Sequence, residues 1–126
     1  MSRYLIYVES LADGWRLGRM DLARKVVEGW PEAVVINPEN PGNTEIRDLG
    51  WRISQEGLTV ECWSAKSGLG IEVDGDDQLA MLVAAWYRDV VPEVITVYFS
   101  DNMYAAHMEI PPGASASDIK RLYDEA

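Results

Sequence analysis

The sequence contains very few of the residues from which metal sites and nucleophilic sites are usually built. It has one cysteine, Cys62, and one histidine, His107. A single cysteine excludes a disulfide within the chain, and this pair cannot supply a typical four-ligand zinc site. A Cys62–His107 nucleophile pair is the weaker hypothesis, because Cys62 alternates with Leu58 and Val60 and so fits a packed core thiol. We predict no metal, no cofactor and no catalytic residue.

Long apolar runs are also missing. The stretch from Tyr4 to Val8 is apolar, but an acid follows it at once. Such a run is too short for a membrane span or for the core of a signal peptide. The glycines of 14–18 match neither the dinucleotide-binding nor the P-loop phosphate motif. With one cysteine and no targeting segment, the chain is expected to be cytoplasmic.

Positive charge is scarce. The chain has 21 acidic against 11 basic residues, and its net charge is −10. The basic residues, Arg88 among them, are scattered and form no patch. Nucleic acids and anionic membranes would be repelled, so binding to either is disfavoured. A basic protein partner would be attracted and steered to its site. The alternative interpretation is that the acidity serves solubility alone.

Apolar and aromatic residues are plentiful. They make up 48% of the sequence and include five tryptophans and six tyrosines. These apolar residues are numerous enough to form a hydrophobic core. The length of the chain predicts one globular domain over 1–126. Aromatic rings in such number either fill that core or anchor a partner.

The apolar patterning predicts an α+β fold. The expected order is β-α-β-β-β-β-α-β-β-α, which gives a mixed, mainly antiparallel sheet with helices packed mostly on one face. The first strand, helix and second strand form a βαβ-like or split unit. The predicted strands are 4–8, 33–36, 51–55, 58–63, 69–74, 94–99 and 104–110. The predicted helices begin at Asp21, at Asp76 and after a cap of the S-x-x-D type at 115–118.

Burial can be predicted for several elements. The strand 4–8 should be buried on both faces. The first helix should bury Ala23, Val26, Val27 and Trp30. Segment 37–44 is a loop, and residues 100–102 form a turn. The inner stripe of the second helix, which Pro92 ends, is expected to contain Leu79, Leu82, Val83, Trp86 and Val90.

The acidic stretch Asp74-Gly75-Asp76-Asp77 is best interpreted as a helix start. A calcium loop needs glycine at its sixth position and glutamate at its twelfth, and neither requirement is met here. Asp76 can instead accept hydrogen bonds from the first free N–H groups of the second helix. Asp74, at the end of the preceding strand, remains available for a partner.

An acidic and aromatic surface is predicted on the strands 58–63 and 69–74. Glu61, Trp63, Glu72 and Asp74 alternate with apolar residues, so they should point away from the core. An exposed tryptophan among carboxylates suits a partner rich in lysine and arginine. Asp101 and the loop acids Glu39, Glu45 and Asp48 could extend the rim of this surface. The alternative is that helices cover both sheet faces and Trp63 belongs to the core.

As a type, the chain resembles the small acidic immunity proteins of bacterial polymorphic or contact-dependent toxin systems. The shared features are one compact α+β domain, strong acidity, many tryptophans and no catalytic constellation. The resemblance implies a monomer or homodimer that binds and neutralises a cognate toxin, for example a nuclease with a cationic site. It also implies that the protein is not an enzyme.

Three further hypotheses remain open. A small enzyme could use Glu61, Glu72 or Asp74 in a pocket, which would need clustered acids in a cleft. An acidic mimic of nucleic acid could occupy a DNA- or RNA-binding protein. A structural subunit could place its exposed aromatic residues against another copy of itself.

Overall fold

A computed structural model describes residues 2–8, 15–36, 47–65, 67–101 and 107–126. The predicted order of elements is confirmed, and the predicted loop 37–44 lies outside the described residues. The elements are β1 (Ser2–Tyr7), α1 (Arg19–Gly29), β2 (Val34–Ile36), β3 (Arg47–Gln55), β4 (Leu58–Ala65), β5 (Gly70–Gly75), α2 (Asp77–Val90), β6 (Val97–Asp101), β7 (His107–Ile110) and α3 (Ala116–Glu125).

All seven strands form one sheet in the order β2-β3-β4-β5-β1-β6-β7. Each of its six strand pairings is antiparallel, so the α+β prediction is confirmed. Strand β1 lies between β5 and β6, whereas β2 is at an edge. Three strands separate β1 from β2, and the alternation of directions makes the two parallel. The first strand, helix and second strand therefore form a split unit rather than an adjacent βαβ unit.

The β3–β4 hairpin shows how local sequence sets the register. Gln55 pairs with Leu58 across a two-residue turn. Glu56 and Gly57 both have positive φ, 52° and 81°. A type I′ turn needs positive φ at both central residues, and its twist matches that of the flanking strands. This tight turn joins the predicted strands 51–55 and 58–63.

All three helices pack on one face of the sheet, which we call the inner face. One row of cross-strand neighbours on this face is Trp51, Cys62, Val73 and Tyr4, and all four are buried. Helix α2 contacts β1, β4 and β5, α1 contacts β3, and α3 contacts β7. The prediction that the helices lie mostly on one face is confirmed.

Strand β1 is not buried on both faces. Tyr4, Ile6 and Val8 are buried, but Leu5 and Tyr7 between them are half-buried. The difference arises because the helices of the described segments all lie on the inner face. Val8 lies just beyond the end of the strand.

Helix α1 begins earlier than predicted and buries a different stripe. Gly18 is its N-cap, so Asp21 lies in the first turn and is not the cap. Leu22 and Val26 are buried, while Val27 is 53% exposed. The helix contacts the sheet at β3, beside the edge strand β2, so only a narrow stripe is covered. The prediction for Val27 was therefore wrong.

Helix α2 begins as predicted. Asp76 is its N-cap and accepts a hydrogen bond from the Leu79 backbone N–H at 2.8 Å. Gly75, at φ 142°, turns the chain from β5 into the helix. The interpretation of Asp74-Gly75-Asp76-Asp77 as a helix start is confirmed.

The inner stripe of α2 is rotated from the predicted one. Leu82 is 43% exposed, and Arg88 is 2% exposed. The Arg88 guanidinium donates to the carbonyl oxygens of Ile95, Val91 and Pro92, at 2.8, 3.3 and 2.7 Å. These carbonyls, just beyond the helix end, accept from both Nη atoms of the buried guanidinium, whereas its Nε is buried without a hydrogen-bond partner.

The C-terminal third differs in detail from the predictions. Val94 is 89% exposed and precedes β6, which begins at Val97. Ser100 and Asp101 belong to β6 and not to a turn, while Asn102 lies outside the described residues. Strand β7 is described from His107 onwards.

Helix α3 has the predicted cap. The Ser115 hydroxyl accepts from the Asp118 N–H at 3.1 Å, and the Asp118 carboxylate accepts from the Ser115 N–H at 3.0 Å. Ile119 is buried, and the Tyr123 ring packs on Phe99 and Tyr4. Among the residues that the structure describes, no helix is long and apolar enough to cross a membrane.

Candidate binding surface on the open sheet face

The sheet face opposite the helices, which we call the open face, presents side chains most of which are exposed or only partly buried, although Ser100 is buried. Two rows of cross-strand neighbours define it. The first row contains Arg52, Glu61, Asp74 and Arg3. The second row contains Gly50, Trp63, Glu72, Leu5, Ser100 and His107. Within the described parts of the chain, no helix packs on this face.

Four of the five predicted partner-binding residues lie together on the open face. Glu61 is opposite Asp74, and Trp63 is opposite Glu72 in the β4–β5 pairing. All four are half-buried, so Trp63 is not a core residue beneath a second helix layer. Period-two alternation along β4 and β5 was enough to place them.

Asp101 does not belong to this group. It pairs with Tyr4 across β1 and β6, which puts it on the inner face. There it hydrogen-bonds with Tyr123, and burial, with the nearby negative charge of Asp101, raises the Tyr123 pKa. The sheet separates Asp101 from Trp63. The partner surface therefore does not extend to Asp101, because β6 continues through this residue and places its side chain on the inner face of the sheet.

The loop acids proposed for the rim have mixed positions. Glu39 and Glu45 lie outside the described residues. Asp48 lies in β3, and its carboxylate accepts from Arg19 of α1 at 2.9 Å.

Arginine side chains accompany the open-face acids. Arg52 pairs with Glu61 at 3.1 Å. Arg3 contacts two carboxylates, with its Nε 3.0 Å from Glu72 Oε1 and its Nη2 3.4 Å from Asp74 Oδ2. These acids are therefore ion-paired, and the surface is not a uniformly acidic patch.

Trp63 is held in place by the absence of a side chain at Gly50. A β-carbon built on Gly50 would lie 2.5 Å from Cζ3 and 2.7 Å from Cε3 of the Trp63 ring. The benzo ring thus lies against strand β3. This contact fixes the ring on the open face without covering it completely.

A shallow hollow of about 230 Å³ lies beside Trp63. Trp63, Leu5, Tyr7 and Glu72 contribute to its walls, and Gly70 lies among them. A β-carbon on Gly70 would come within 2.7 Å of the Ile6 carbonyl oxygen, so strands β5 and β1 approach too closely there for a side chain. Because Gly70 has no side chain, the space above this position of the sheet stays empty and forms part of the hollow.

An aromatic cluster borders the hollow on the β1 side. The rings of Tyr7 and Tyr98 stack at 5.5 Å, and the Tyr7 and His107 rings are nearly parallel at 6.0 Å. The Tyr7 hydroxyl and His107 Nε2 are 3.0 Å apart and share a hydrogen bond. These contacts orient the Tyr7 ring that forms part of the hollow.

The structure does not bring Cys62 and His107 together. Cys62 lies in β4 on the inner face, and His107 lies in β7 on the open face, with three strands between them. Cys62 is fully buried, and this burial raises the pKa of its thiol. The interpretation of Cys62 as a core thiol is confirmed.

Most of the described tryptophans serve the core. Trp86 of α2 makes edge-on ring contacts with Trp30 at 6.5 Å and with Trp51 at 6.2 Å. Trp15 also packs against the core. Of the tryptophans, Trp63 alone stands on the open face.

Sequence reasoning missed three residues of the open-face site. Leu5 and Tyr7 alternate with the buried Tyr4 and Ile6. Alternation along β1 could therefore have indicated that they lie on the face opposite the core. Arg3 lies on the same face as Leu5 and Tyr7. Its ion pairs with Glu72 and Asp74 of β5 could not be predicted from any local sequence pattern.

No group of three or more histidine, cysteine, aspartate and glutamate side chains in the described parts of the chain is placed to hold a metal ion. Comparison of the chain with models of known protein families, with curated proteins and with solved structures finds no match.

Proposed function

We propose that this protein is an inhibitor of the immunity type, which binds a cognate bacterial toxin through its open sheet face and neutralises it. The observation that carries the proposal is the one-sided sheet. Helices cover the inner face, while the open face holds half-buried Trp63, Leu5 and Tyr7 beside ion-paired charges. Partly exposed aromatic residues ringed by polar side chains are typical of protein-binding surfaces.

The charge of the chain favours a basic partner. A net charge of −10 attracts a cationic protein over distance and speeds encounter at low salt. The cationic substrate site of a nuclease is one such target. We propose a cytoplasmic location for this encounter, with the chain acting as a monomer or homodimer.

The enzyme alternative receives less support. General acid–base catalysis needs a proton-exchanging group aimed at a bound substrate. Glu72 is the carboxylate that lines the hollow, and the Arg3 guanidinium engages it at 3.0 Å. Glu61 and Asp74 are likewise paired with arginines.

The nucleic-acid-mimic alternative is also less supported. A mimic needs a track of uncompensated negative charge that resembles a phosphate backbone. On the open face, the adjacent carboxylates of Glu61 and Asp74 are flanked by the guanidinium groups of Arg52 and Arg3, with which they form ion pairs.

Affinity capture from the native host, followed by a neutralisation assay, tests the proposal. We expect one stoichiometric basic partner whose binding weakens as salt rises. Expressed alone, that partner should be toxic to cells, and co-expression of this chain should restore growth.

Two substitutions that each introduce one positive charge locate the binding face. Trp63→Arg adds a positive charge to the open face and should abolish both capture and rescue. Val94→Arg adds the same charge in the connection between α2 and β6, at a position that is 89% exposed and outside both open-face rows, and it should preserve both. Circular dichroism and thermal melts check that each variant is folded.

Three results would contradict the proposal. These are capture of no stoichiometric partner, a partner without toxicity, or a partner lost with Val94→Arg and retained with Trp63→Arg. Recovery of self-association alone, disrupted by Trp63→Arg, would instead support the structural-subunit hypothesis.

A further inference from the structure

We propose that the edge strand β2 is an interface at which two copies of this chain pair, edge to edge, into one continuous antiparallel sheet. This inference goes beyond the proposed function and does not depend on a toxin partner. It rests on the outer side of β2 and not on the open face.

The side chains of β2 are apolar on both faces of the sheet. Val34 is 56% exposed, Val35 is 39% exposed and Ile36 is half-buried. None of the described strands pairs with the outer side of β2. Sheet edges are often protected by charged residues or proline, as at the other edge, where β7 carries Glu109 and Pro111 follows it. Strand β2 itself contains neither a charged residue nor a proline.

The backbone of β2 directs one N–H and one C=O group outwards at Val35. Gln55 and Leu58 flank the two-residue turn between β3 and β4, and the flanking residues of such a hairpin form a hydrogen-bonded pair. Since the bonding direction alternates along β3, Arg52 directs its N–H and C=O towards β2. Arg52 is opposite Val34, so Val34 bonds to β3. The backbone groups of the next residue, Val35, therefore face the outer side.

This geometry favours a second copy as the occupant. If two β2 strands pair antiparallel about Val35, its N–H donates to the Val35 carbonyl of the second copy, and the reverse bond forms by symmetry. Val34 of one copy then lies opposite Ile36 of the other, and cross-strand pairs of branched apolar residues are stabilising. Because this two-fold axis is perpendicular to the sheet, both open faces lie on the same side of the dimer.

Helix α1 adds exposed apolar side chains beside the same edge. At 3.6 residues per turn, Val27 lies about 100° to one side of the buried Val26, and Gly29 lies about 60° to the other. A β-carbon on Gly29 would lie 2.3 Å from Trp86 Nε1, so the Gly29 flank faces α2, which packs on β1, β4 and β5. The opposite flank therefore faces β2. It carries Val27, 53% exposed, and Met20, 83% exposed.

Charge and size set the strength of this dimer and its response to salt. Each copy carries a net charge of −10, so two copies repel each other, and salt screens this repulsion. Dimerisation should therefore strengthen as salt rises, whereas binding of a basic partner should weaken. A strand of three residues provides a short pairing. We expect a weak dimer, with a dissociation constant on the order of 0.1 mM.

Analytical ultracentrifugation of the full chain over a concentration series tests the inference. We expect a monomer–dimer equilibrium with a dissociation constant on the order of 0.1 mM that tightens at higher salt. A chain that stays monomeric up to about 1 mM, tenfold above that constant, overturns the inference. A dimer that salt weakens also overturns it, because attraction between unlike charges would then hold the two copies together.

Hydrogen exchange followed by NMR locates the interface. The Val35 amide should exchange about fivefold more slowly at about 1 mM protein than in dilute solution, since about a fifth of the chains would be monomeric there. The Val34 amide, which bonds to β3, should be protected at both concentrations. If the chain dimerises and the Val35 amide exchanges equally fast at both concentrations, the interface lies elsewhere and the inference is overturned.

Two lysine substitutions separate the edge from a general effect of charge. Val35→Lys places two like charges opposite each other at the axis and should weaken dimerisation about tenfold or more. Val94→Lys adds the same charge at a position that is 89% exposed, between α2 and β6, and should change the dissociation constant by no more than about twofold. Thermal melts check folding. If Val35→Lys is unfolded, Val34→Lys takes its place, because Val34 is the more exposed of the two.

Two results with these variants contradict the inference. One is a dimer that stays as tight in the folded Val35→Lys or Val34→Lys chain as in the unchanged chain. The other is a dimer lost with Trp63→Arg and kept with Val35→Lys, which would place the open face at the interface. Failure of the proposed function is distinguishable. A toxic partner captured by a monomeric chain keeps the inhibitor assignment, and a β2 dimer without such a partner keeps the interface alone.

Discussion

The benzo ring of Trp63 occupies the space in which any residue other than glycine at position 50 would place its β-carbon. The two residues are cross-strand neighbours in the β3–β4 pairing, and the nearest ring atom would lie 2.5 Å from that carbon. One glycine on β3 thus decides where the principal aromatic side chain of the open face can lie.

Gly50→Ala should therefore displace the Trp63 ring. We expect a loss of about 1–3 kcal/mol in the free energy of unfolding, as for other overpacked sites. Partner binding should weaken as well, because the wall of the hollow moves. Chemical denaturation and the shift of the Trp63 indole N–H signal measure the two effects. Gly18→Ala is the steric control, since a β-carbon there meets nothing within 4 Å. Equal effects of the two substitutions would refute the steric argument.

Removal of the α2 cap should cost stability. Asp76 accepts from the Leu79 N–H at 2.8 Å, and Asp76→Ala leaves that N–H without its acceptor. We expect a loss of about 1 kcal/mol, measured by urea denaturation, with most of it restored in Asp76→Ser. If Asp76→Ser were as unstable as Asp76→Ala, the hydrogen bond would not be the cause.

Stability should fall in strongly alkaline solution. Burial, together with a hydrogen bond from its hydroxyl to Asp77, raises the pKa of Tyr4 from 10.0 to about 12. Between these values the unfolded chain binds fewer protons than the folded chain. The free energy of unfolding therefore decreases as pH rises through this window, and the Tyr4 contribution is fully present below about pH 10.

The variant Tyr4→Phe isolates this contribution. Its free energy of unfolding should fall less steeply than that of the unchanged chain between about pH 10 and 12, and the two curves should run parallel at lower pH. Urea titrations at stepped pH values measure both curves. Identical slopes above pH 10 would contradict the assignment to Tyr4.

The single thiol should react only when the chain opens. Cys62 is fully buried, and burial raises the pKa of its thiol, so little nucleophilic thiolate is accessible in the folded state. Ellman's reagent should modify no thiol in the native protein and one equivalent in concentrated guanidinium chloride. Rapid modification of the native protein would show that Cys62 is accessible.

A substitution at the same position tests its packing role. Cys62→Ser should lower the free energy of unfolding by about 1–3 kcal/mol, because it buries a hydroxyl group in an apolar row of the sheet. Cys62→Ala, which buries no polar group, should be the milder change. A serine variant as stable as the original chain would argue against the buried position.

Local patterns predicted much of this fold. Alternation along β4 and β5 depends on neighbours two residues apart, so it placed Glu61, Trp63, Glu72 and Asp74 on one face correctly. The caps at Asp76 and Ser115 are equally local. These features need no knowledge of which strands pair.

Three placements depend on the course of the chain beyond a single helix or strand pattern, and the sequence analysis did not predict them. Arg88 is buried because backbone carbonyls beyond the end of α2 turn back to meet it. Asp101 lies on the inner face because β6 extends through it. Arg3 compensates Glu72 and Asp74 because β1 pairs with β5, and residues that far apart in sequence leave no mutual pattern.

The insertion of β1 between β5 and β6 has a consequence for synthesis on the ribosome. Tyr4 pairs with Val73 on one side and with Asp101 on the other, 69 and 97 positions later in the chain. The β3–β4–β5 meander can form as it emerges from the exit tunnel, but the apolar segment that becomes β1 has no partner until β5 has been made, and its other edge stays unpaired until β6 follows. Such late closure is slow, and it exposes the segment to chaperones and proteases meanwhile. The abundance of this protein in the cell should therefore depend on how quickly translation passes through β6.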